Sequence, residues 1–490
     1  MSAAAPRRLV VATQDLPAPH AGTAGDLGRG GLESALAGEV LRRRGAWVGA
    51  AVGSGPCPAD PHLSLVPVEL PEAERRGHLD GFCHQVLRPL LHDQHAACGR
   101  SAHSWQAYRA VNRRFAEAAA QATGDGDVLW VHDYPLAEVG TRLREAGHGA
   151  LLAHYLHAPF PALDLYLSLP RRRELLDALL AYDFLGFQTE RDLGNFLDAA
   201  EALRPSLGFE RDGDTGRAGN ARLAAIPRGV DFNAIAAAAS RPEVVATALE
   251  QRAGLAPCRV VLGIDALEPC QGVPQKLAAF AALLEHQPEL QRRVVLVQVV
   301  EPGEVAEPEL KAAIERQVGE INGRFSRAGW QPVRYHHRRL SDEERLAWMR
   351  AADVALFTPT RDGASCTAQE LCAARCDGDG ILVLSEFAGA ASWLAADDRG
   401  LLTVNPYDTL GTADAVRRAL SLSPAERREH MAPLRTAVAR RNVHHWVHAV
   451  LATAEEAARP RRAFTLRRRP ARVTRPAAQE APRAQVARSA

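Results

Sequence analysis

The sequence predicts an α/β protein built of two doubly wound, parallel-sheet halves followed by a basic tail. Three observations carry this. Short runs that are apolar on both faces recur along the chain, each followed by a segment of helical period, as strands buried between helix layers must be. The alternation pauses near residue 232 and restarts near residue 259. The length, 490 residues, exceeds what a single hydrophobic core ordinarily organises and favours two or three domains.

In the first half the expected strands are Leu9–Thr13, Trp47–Val52, Val128–His132, Leu151–His157 and Phe184–Phe187. Segments such as Leu32–Arg43 and Trp105–Gln121 read as the helices between them. In the second half the expected strands are Arg259–Ile264, Arg293–Val300, Val354–Phe357, Ile381–Leu384 and Leu401–Val404, with helices such as Gln275–His286 and Glu307–Asn322. An alanine-rich stretch, Asn233–Pro257, joins the halves. This places domains at 1–235 and 236–442, a further helical segment at 443–458, and a tail at 459–490. The tail is rich in Pro, Arg and Ala with Phe464 as its one aromatic. It cannot bury enough apolar surface to fold and is expected to be disordered.

Charge sharpens the division. The formal total is +1, but the tail holds ten arginines against one glutamate, a net +9, so the body carries −8. A mildly acidic body argues against a broad nucleic-acid surface, leaving the tail as the only candidate for one. No apolar run approaches the roughly 18–20 residues of a membrane span. Met1–Val11 lacks the apolar stretch of a secretory signal. The eight cysteines are scattered without a Cys-x-x-Cys pair, which fits a reducing compartment. A cytoplasmic protein without a membrane partner is expected.

In open parallel sheets ligands bind outside the carboxyl ends of the strands, so polar residues just past strands matter most. After the first strand come Arg29-Gly30-Gly31 and a helix start. Glycines let backbone N–H groups approach a phosphate, but a plain helix entry reads equally well. His132-Asp133-Tyr134 ends another strand; such a pair can orient a hydroxyl or move a proton, or merely cap. His157-Ala158-Pro159-Phe160-Pro161 leaves a strand in extended form, which sets His157 at a rim. Thr358-Pro359-Thr360-Arg361-Asp362-Gly363 leads into a helix carrying Glu370. A carboxylate one to two turns into such a helix can accept both hydroxyls of a ribose, or face solvent.

Taken together and in order, these runs resemble the trehalose-6-phosphate synthases, the retaining glycosyltransferases of family 20. The matching segments include Val131 to Tyr134, His157 to Pro161, Tyr182 to Glu190, Ile321 to Phe325, Thr358 to Gly363, Ser385 to Ala391 and Asn405 to Asp408, within roughly residues 7–458. The resemblance implies a GT-B fold, two Rossmann-like domains facing a cleft, with the last helix crossing back to the first domain. It implies transfer of a hexose from a UDP- or GDP-type sugar to a sugar or sugar-phosphate acceptor, with no metal and no cofactor. It assigns Asp133, His157 and Asp362 to the reacting sugars. Gly30, Gly31, Gly363, Ser365, Cys366 and Thr367 fall to the donor and its diphosphate, and Glu370 to the ribose. A homo-oligomer is a further option.

The departures bear on activity. Ala266 and Gln271 stand where the family has an arginine and a lysine on the donor diphosphate. Thr13-Gln14-Asp15 replaces a strand end that carries an acceptor-phosphate arginine, and Glu301-Pro302-Gly303-Glu304 replaces a second. Arg88 stands at an aromatic position and Ser365 at an asparagine. A departing diphosphate gains negative charge, and removing one donor that stabilises such charge costs about 10²–10³ in rate. Arg29, Arg228 and Arg361, with Arg88, are candidate compensating cations. Two readings follow: an enzyme with altered acceptor or reduced activity, or a catalytically degenerate paralogue that binds a nucleotide sugar or a partner synthase and regulates.

Overall fold

Fifteen strands among the described residues form two sheets. The computed structural model describes residues 6–17, 31–51, 62–94, 102–303, 305–395 and 400–457. The tail, Arg29 and Gly30 therefore lie outside the described residues.

The first sheet contains β1 (Leu9–Asp15), β2 (Ala46–Ala50), β3 (Ser64–Val68), β4 (Val128–His132), β5 (Leu151–Tyr155), β6 (Phe184–Phe187), β7 (Phe209–Asp212), β8 (Thr215–Ala218) and β9 (Ala221–Ala225). Its order is β3-β2-β1-β4-β5-β6-β9-β8-β7. It is parallel except for the β7–β8–β9 meander at one edge. The second sheet contains β10 (Arg259–Ala266), β11 (Val294–Glu301), β12 (Val333–His337), β13 (Val354–Phe357), β14 (Ile381–Ser385) and β15 (Leu402–Val404). Its order, β12-β11-β10-β13-β14-β15, is the doubly wound 3-2-1-4-5-6 arrangement, and the first six strands of the first sheet repeat it. All second-sheet pairs are parallel; β10 and β11 run in register from Arg259↔Val294 to Ala266↔Glu301.

The central strands are apolar on both faces and buried throughout, for example β4 and β13. The strands that the apolar pattern does not announce are the edge strands β3, β12 and β7 and, inside the meander, β8 and β9. β3 carries Pro67, which donates no ladder hydrogen bond, and β12 reads Val-Arg-Tyr-His-His with one buried residue. β7 is exposed along most of its length. The joining stretch forms two helices, Phe232–Ala239 and Pro242–Ala253. The last helix, Val443–Ala457, packs Val443, Trp446, Val447, Val450, Leu451 and Ala454 into the same core as Leu9, Val11 and Trp130 of the first sheet. At roughly 1.5–3 kcal/mol for each large side chain buried, this contact ties the chain's end to its beginning. Among the described residues no helix is long and apolar enough to cross a membrane.

Candidate active site

In each sheet the strand order reverses between the first and fourth strands, β1/β4 and β10/β13. The loops leaving those strands carry the residues singled out by sequence. The two sets meet. Gly363 lies so close to the His157 carbonyl that a Cβ would overlap it. Arg361 donates to the Phe160 carbonyl at 2.9 Å and to Asp192 at 3.1 Å. Gln369 donates to the Arg228 carbonyl at 3.2 Å, and Arg88 pairs with Glu268 at 2.6 Å.

On the first-sheet side Asp133 has φ 61 and ψ 171, a conformation close to glycine's preserve and costing on the order of 1–3 kcal/mol. Its Oδ1 accepts from the backbone N–H groups of Tyr134 and His157, both at 3.0 Å, and of Ala158 at 3.4 Å. The strained turn thus fastens the β4 exit to the β5 exit. His157 is held on both ring nitrogens. Gln188 accepts from the Arg228 N–H through Oε1, so its Nε2 donates to His157 Nδ1 at 3.3 Å. Nε2 of His157 then carries the proton and faces His132 Nδ1 at 3.1 Å. Burial, with the nearby His154 and Arg228 adding to it, presses the pKa of His132 down to about 3, so its imidazole is neutral. Trp130, His132, His157 and Trp446 form one aromatic cluster, with Trp446 supplied by the last helix.

Beside this cluster is a cavity of about 410 Å³, lined by residues that include Thr13, Gln14, Asp15, Glu33, His84, His132, Asp133, Tyr134 and His157. No lysine or arginine is among its described lining residues. Thr13 accepts from the Trp47 indole at 2.6 Å and Gln14 bonds His78 at 3.0 Å, so both are built into the wall. Gly31 adopts φ 76 at the start of helix Leu32–Arg42, and a Cβ there would strike the Asp231 side chain at 2.8 Å.

On the second-sheet side Ala266 ends β10, and Gln271 precedes Gly272, whose φ of 66 lets the chain turn against the Thr358 carbonyl. Thr360 N–H donates to the Cys270 carbonyl at 2.8 Å, so this turn lies against the β13 exit. Ser365 is left-handed, φ 51, and opens helix Cys366–Ala374, aiming that helix's N-terminus at the loop Asp362–Ser365. Asp362 lines a second cavity of about 470 Å³ between the two sets of loops, with Arg191, Arg361, Glu386 and Arg441. Glu370 sits one turn into the helix, 2.6 Å from Arg345, and Thr367 accepts from the same guanidinium at 3.1 Å.

The candidate cations separate. Arg361 is buried and committed to Asp192, Phe160 and, at 3.5 Å, Asp93. Arg228 is also buried, and its charge is felt by His132, Tyr155 and Cys366, which sets its guanidinium between the two sets of loops. Arg88 reaches across to Glu268, in the turn that holds Ala266 and Gln271. Gln188, Gln369 and Arg345 were not singled out by sequence. Gln188 follows β6 directly, so the strand-end rule could have found it. Arg345 lies inside helix Asp342–Ala351, where arginine normally means a solvated face.

The model of Glycosyltransferase family 20 matches residues 57–456. The chain is 36% identical over 453 residues to a trehalose-6-phosphate synthase of Mycolicibacterium paratuberculosis, covering 88% of this chain and 91% of that one. Among solved structures it resembles an alpha,alpha-trehalose 6-phosphate synthase from Burkholderia multivorans, with TM-score 0.85, 30% identity and coverage of 92% and 97%. It also resembles a Burkholderia xenovorans UDP-forming alpha,alpha-trehalose-phosphate synthase in complex with glucose-6-phosphate, with TM-score 0.81, 30% identity and coverage of 91% and 100%. A third likeness is to an E. coli structure bound with UDP-2-fluoro glucose, with TM-score 0.83, 28% identity and coverage of 92% and 99%.

Proposed function

The chain belongs to glycosyltransferase family 20 and has the GT-B fold, and on that premise we propose that it transfers a hexose from a nucleotide diphosphate sugar to an acceptor without a phosphate. The observation that carries this is the cavity beside Asp133 and His157. Its described lining offers Gln14, Asp15 and Glu33, and no lysine or arginine. A phosphate dianion would find no cation among the described lining residues, while a neutral sugar needs none.

In the reaction the bond from the sugar's anomeric carbon to the diphosphate breaks, the acceptor oxygen bonds that carbon, and the acceptor proton leaves with the diphosphate. Charge builds on the diphosphate. The N-terminus of helix Cys366–Ala374 and the loop N–H groups at Gly363–Thr367 supply about half a charge. Arg228 is the candidate for the cation that Ala266 and Gln271 do not supply, while Arg88 shares its charge with Glu268. Glu370 accepts the ribose hydroxyls.

The test is turnover with UDP-, GDP- and ADP-glucose against glucose 6-phosphate and free sugars. A free sugar should be preferred as acceptor, and a preference for glucose 6-phosphate would overturn the acceptor reading. Arg228→Ala should then lower kcat by about 10²–10³; wild-type turnover would remove Arg228 from the role. A second reading, nucleotide-sugar binding without turnover, is favoured by one observation: both ring nitrogens of His157 are engaged within the protein. Nucleotide binding with no product under any acceptor would select it.

A further inference from the structure

A charged chain runs from the end of β11 to the helix that carries Glu370. Arg345 projects from helix Asp342–Ala351 with its side chain about three-quarters buried, at 24% exposure. Its Nη2 lies 2.6 Å from Glu370 Oε2 and donates to Thr367 Oγ1 at 3.1 Å. Its Nη1 lies 3.6 Å from Glu301 Oε2, and the other oxygen of Glu301 accepts from the Leu340 N–H at 3.1 Å. The guanidinium is therefore gripped from the end of β11 and from the first two turns of helix Cys366–Ala374. Glu301 belongs to the acidic run that stands where a phosphate-binding arginine was expected.

We propose that Arg345 is a positioning residue for the nucleotide: with Glu301 behind it, it holds the Glu370 carboxylate in the one orientation that accepts both ribose hydroxyls, and so sets the preference for ribose over 2′-deoxyribose. This rests on the donor reading above. A free glutamate must surrender rotamer freedom on binding, whereas a carboxylate already pinned by a charge-assisted bond has surrendered it beforehand. A purely structural ion pair would alter stability and affinity for every ligand alike. A positioning role alters the ratio between two ligands that differ by one hydroxyl.

The experiment is calorimetric titration of the full chain with UDP and GDP and with their 2′-deoxy forms, on wild type, Arg345→Met, Arg345→Lys and Glu301→Gln. Wild type should prefer the ribonucleotide by about tenfold or more, the weight of a hydrogen bond to a charged group. Arg345→Met should bring the two within about twofold of each other, and Arg345→Lys should recover part of the preference. A wild-type ratio in Arg345→Met overturns the proposal. If that variant does not fold, Glu301→Gln decides, since it leaves the Arg345–Glu370 contact in place: a ratio lowered by about threefold or more supports the proposal, an unchanged one overturns it. Wild type that binds both nucleotides equally overturns the proposal and leaves the donor reading standing. Wild type that binds neither removes the donor reading, and the proposal with it.

Discussion

The two crevices share one strand order and bury their polar groups in opposite ways. Around β1, β4 and β5 the buried polar centre is neutral: His78, His132 and His154 are enclosed, and burial presses the pKa of each to about 3. Around β10 and β11 it is ionic. Lys276, one of two lysines in the chain, is fully enclosed and paired with Asp265, and Gln298 donates to the same carboxylate at 2.7 Å. Arg345 between Glu301 and Glu370 repeats the ionic theme closer to the surface. The difference teaches what each solution exposes. A neutral imidazole makes its lobe sensitive to acid, and a buried pair makes its lobe intolerant of losing either partner.

The largest effect should come from breaking the ionic side. Lys276→Met leaves Asp265 enclosed without its cation and should cost about 3–5 kcal/mol of unfolding free energy. Adding Asp265→Asn should recover more than half of that, because an amide can still accept from Gln298. Denaturant titration followed by far-UV circular dichroism measures both. A loss under about 1 kcal/mol would mean that the pair is not the ionic keystone of this lobe.

The neutral side should fail by protonation. Unfolded imidazoles take up protons near pH 6.5 and the three enclosed ones only near pH 3, so between these values the unfolded chain binds more protons. Stability from this source is fully present above pH 6.5 and falls with pH below it, by up to about 1.4 kcal/mol per pH unit for each histidine. His154 isolates the effect, since both of its ring nitrogens lack a hydrogen-bond partner among the described residues. His154→Leu should raise stability at pH 5 and reduce the proton uptake on unfolding by about one. An unchanged pH slope in that variant would contradict a neutral, enclosed His154.

How far the sequence could be read follows the same divide between burial and pairing. The central strands were legible because a strand between two helix layers must be apolar on both faces, and the stretches at 128–132, 184–187 and 354–357 are. The edge strand β12 was not, because Arg334 is exposed and His336 and His337 are polar and only half-buried, which leaves no apolar period. Asp133, His157 and Asp362 were legible as polar residues just past apolar strands. The strain at Asp133 and the engagement of both His157 nitrogens were not, because each depends on a partner 24 or 31 residues away. Arg361 looked like a spare cation for the same reason: its partner Asp192 lies 169 residues earlier in the chain.

The smallest effect sits where the two lobes join, and it has the opposite sign. Asp231 caps helix Phe232–Ala239, accepting from the Ala234 N–H at 3.1 Å, and its other oxygen lies 3.1 Å from His444 Nε2 on the returning helix. The hydrogen bond to Asp231 raises the pKa of His444 despite burial, and the same bond lowers that of Asp231. The histidine's contribution is therefore fully present below pH 6.5 and is lost as pH rises through its raised value. The aspartate's contribution is lost only as pH falls through its depressed value. Both side chains keep solvent contact, so the pair should contribute no more than about 1 kcal/mol. His444→Gln should cost that small amount at pH 5.5 and nothing measurable at pH 8.5, whereas His154→Leu gains stability at the lower pH. Equal losses at both pH values would show that His444 acts through packing alone, and the junction would then belong to neither the neutral nor the ionic pattern.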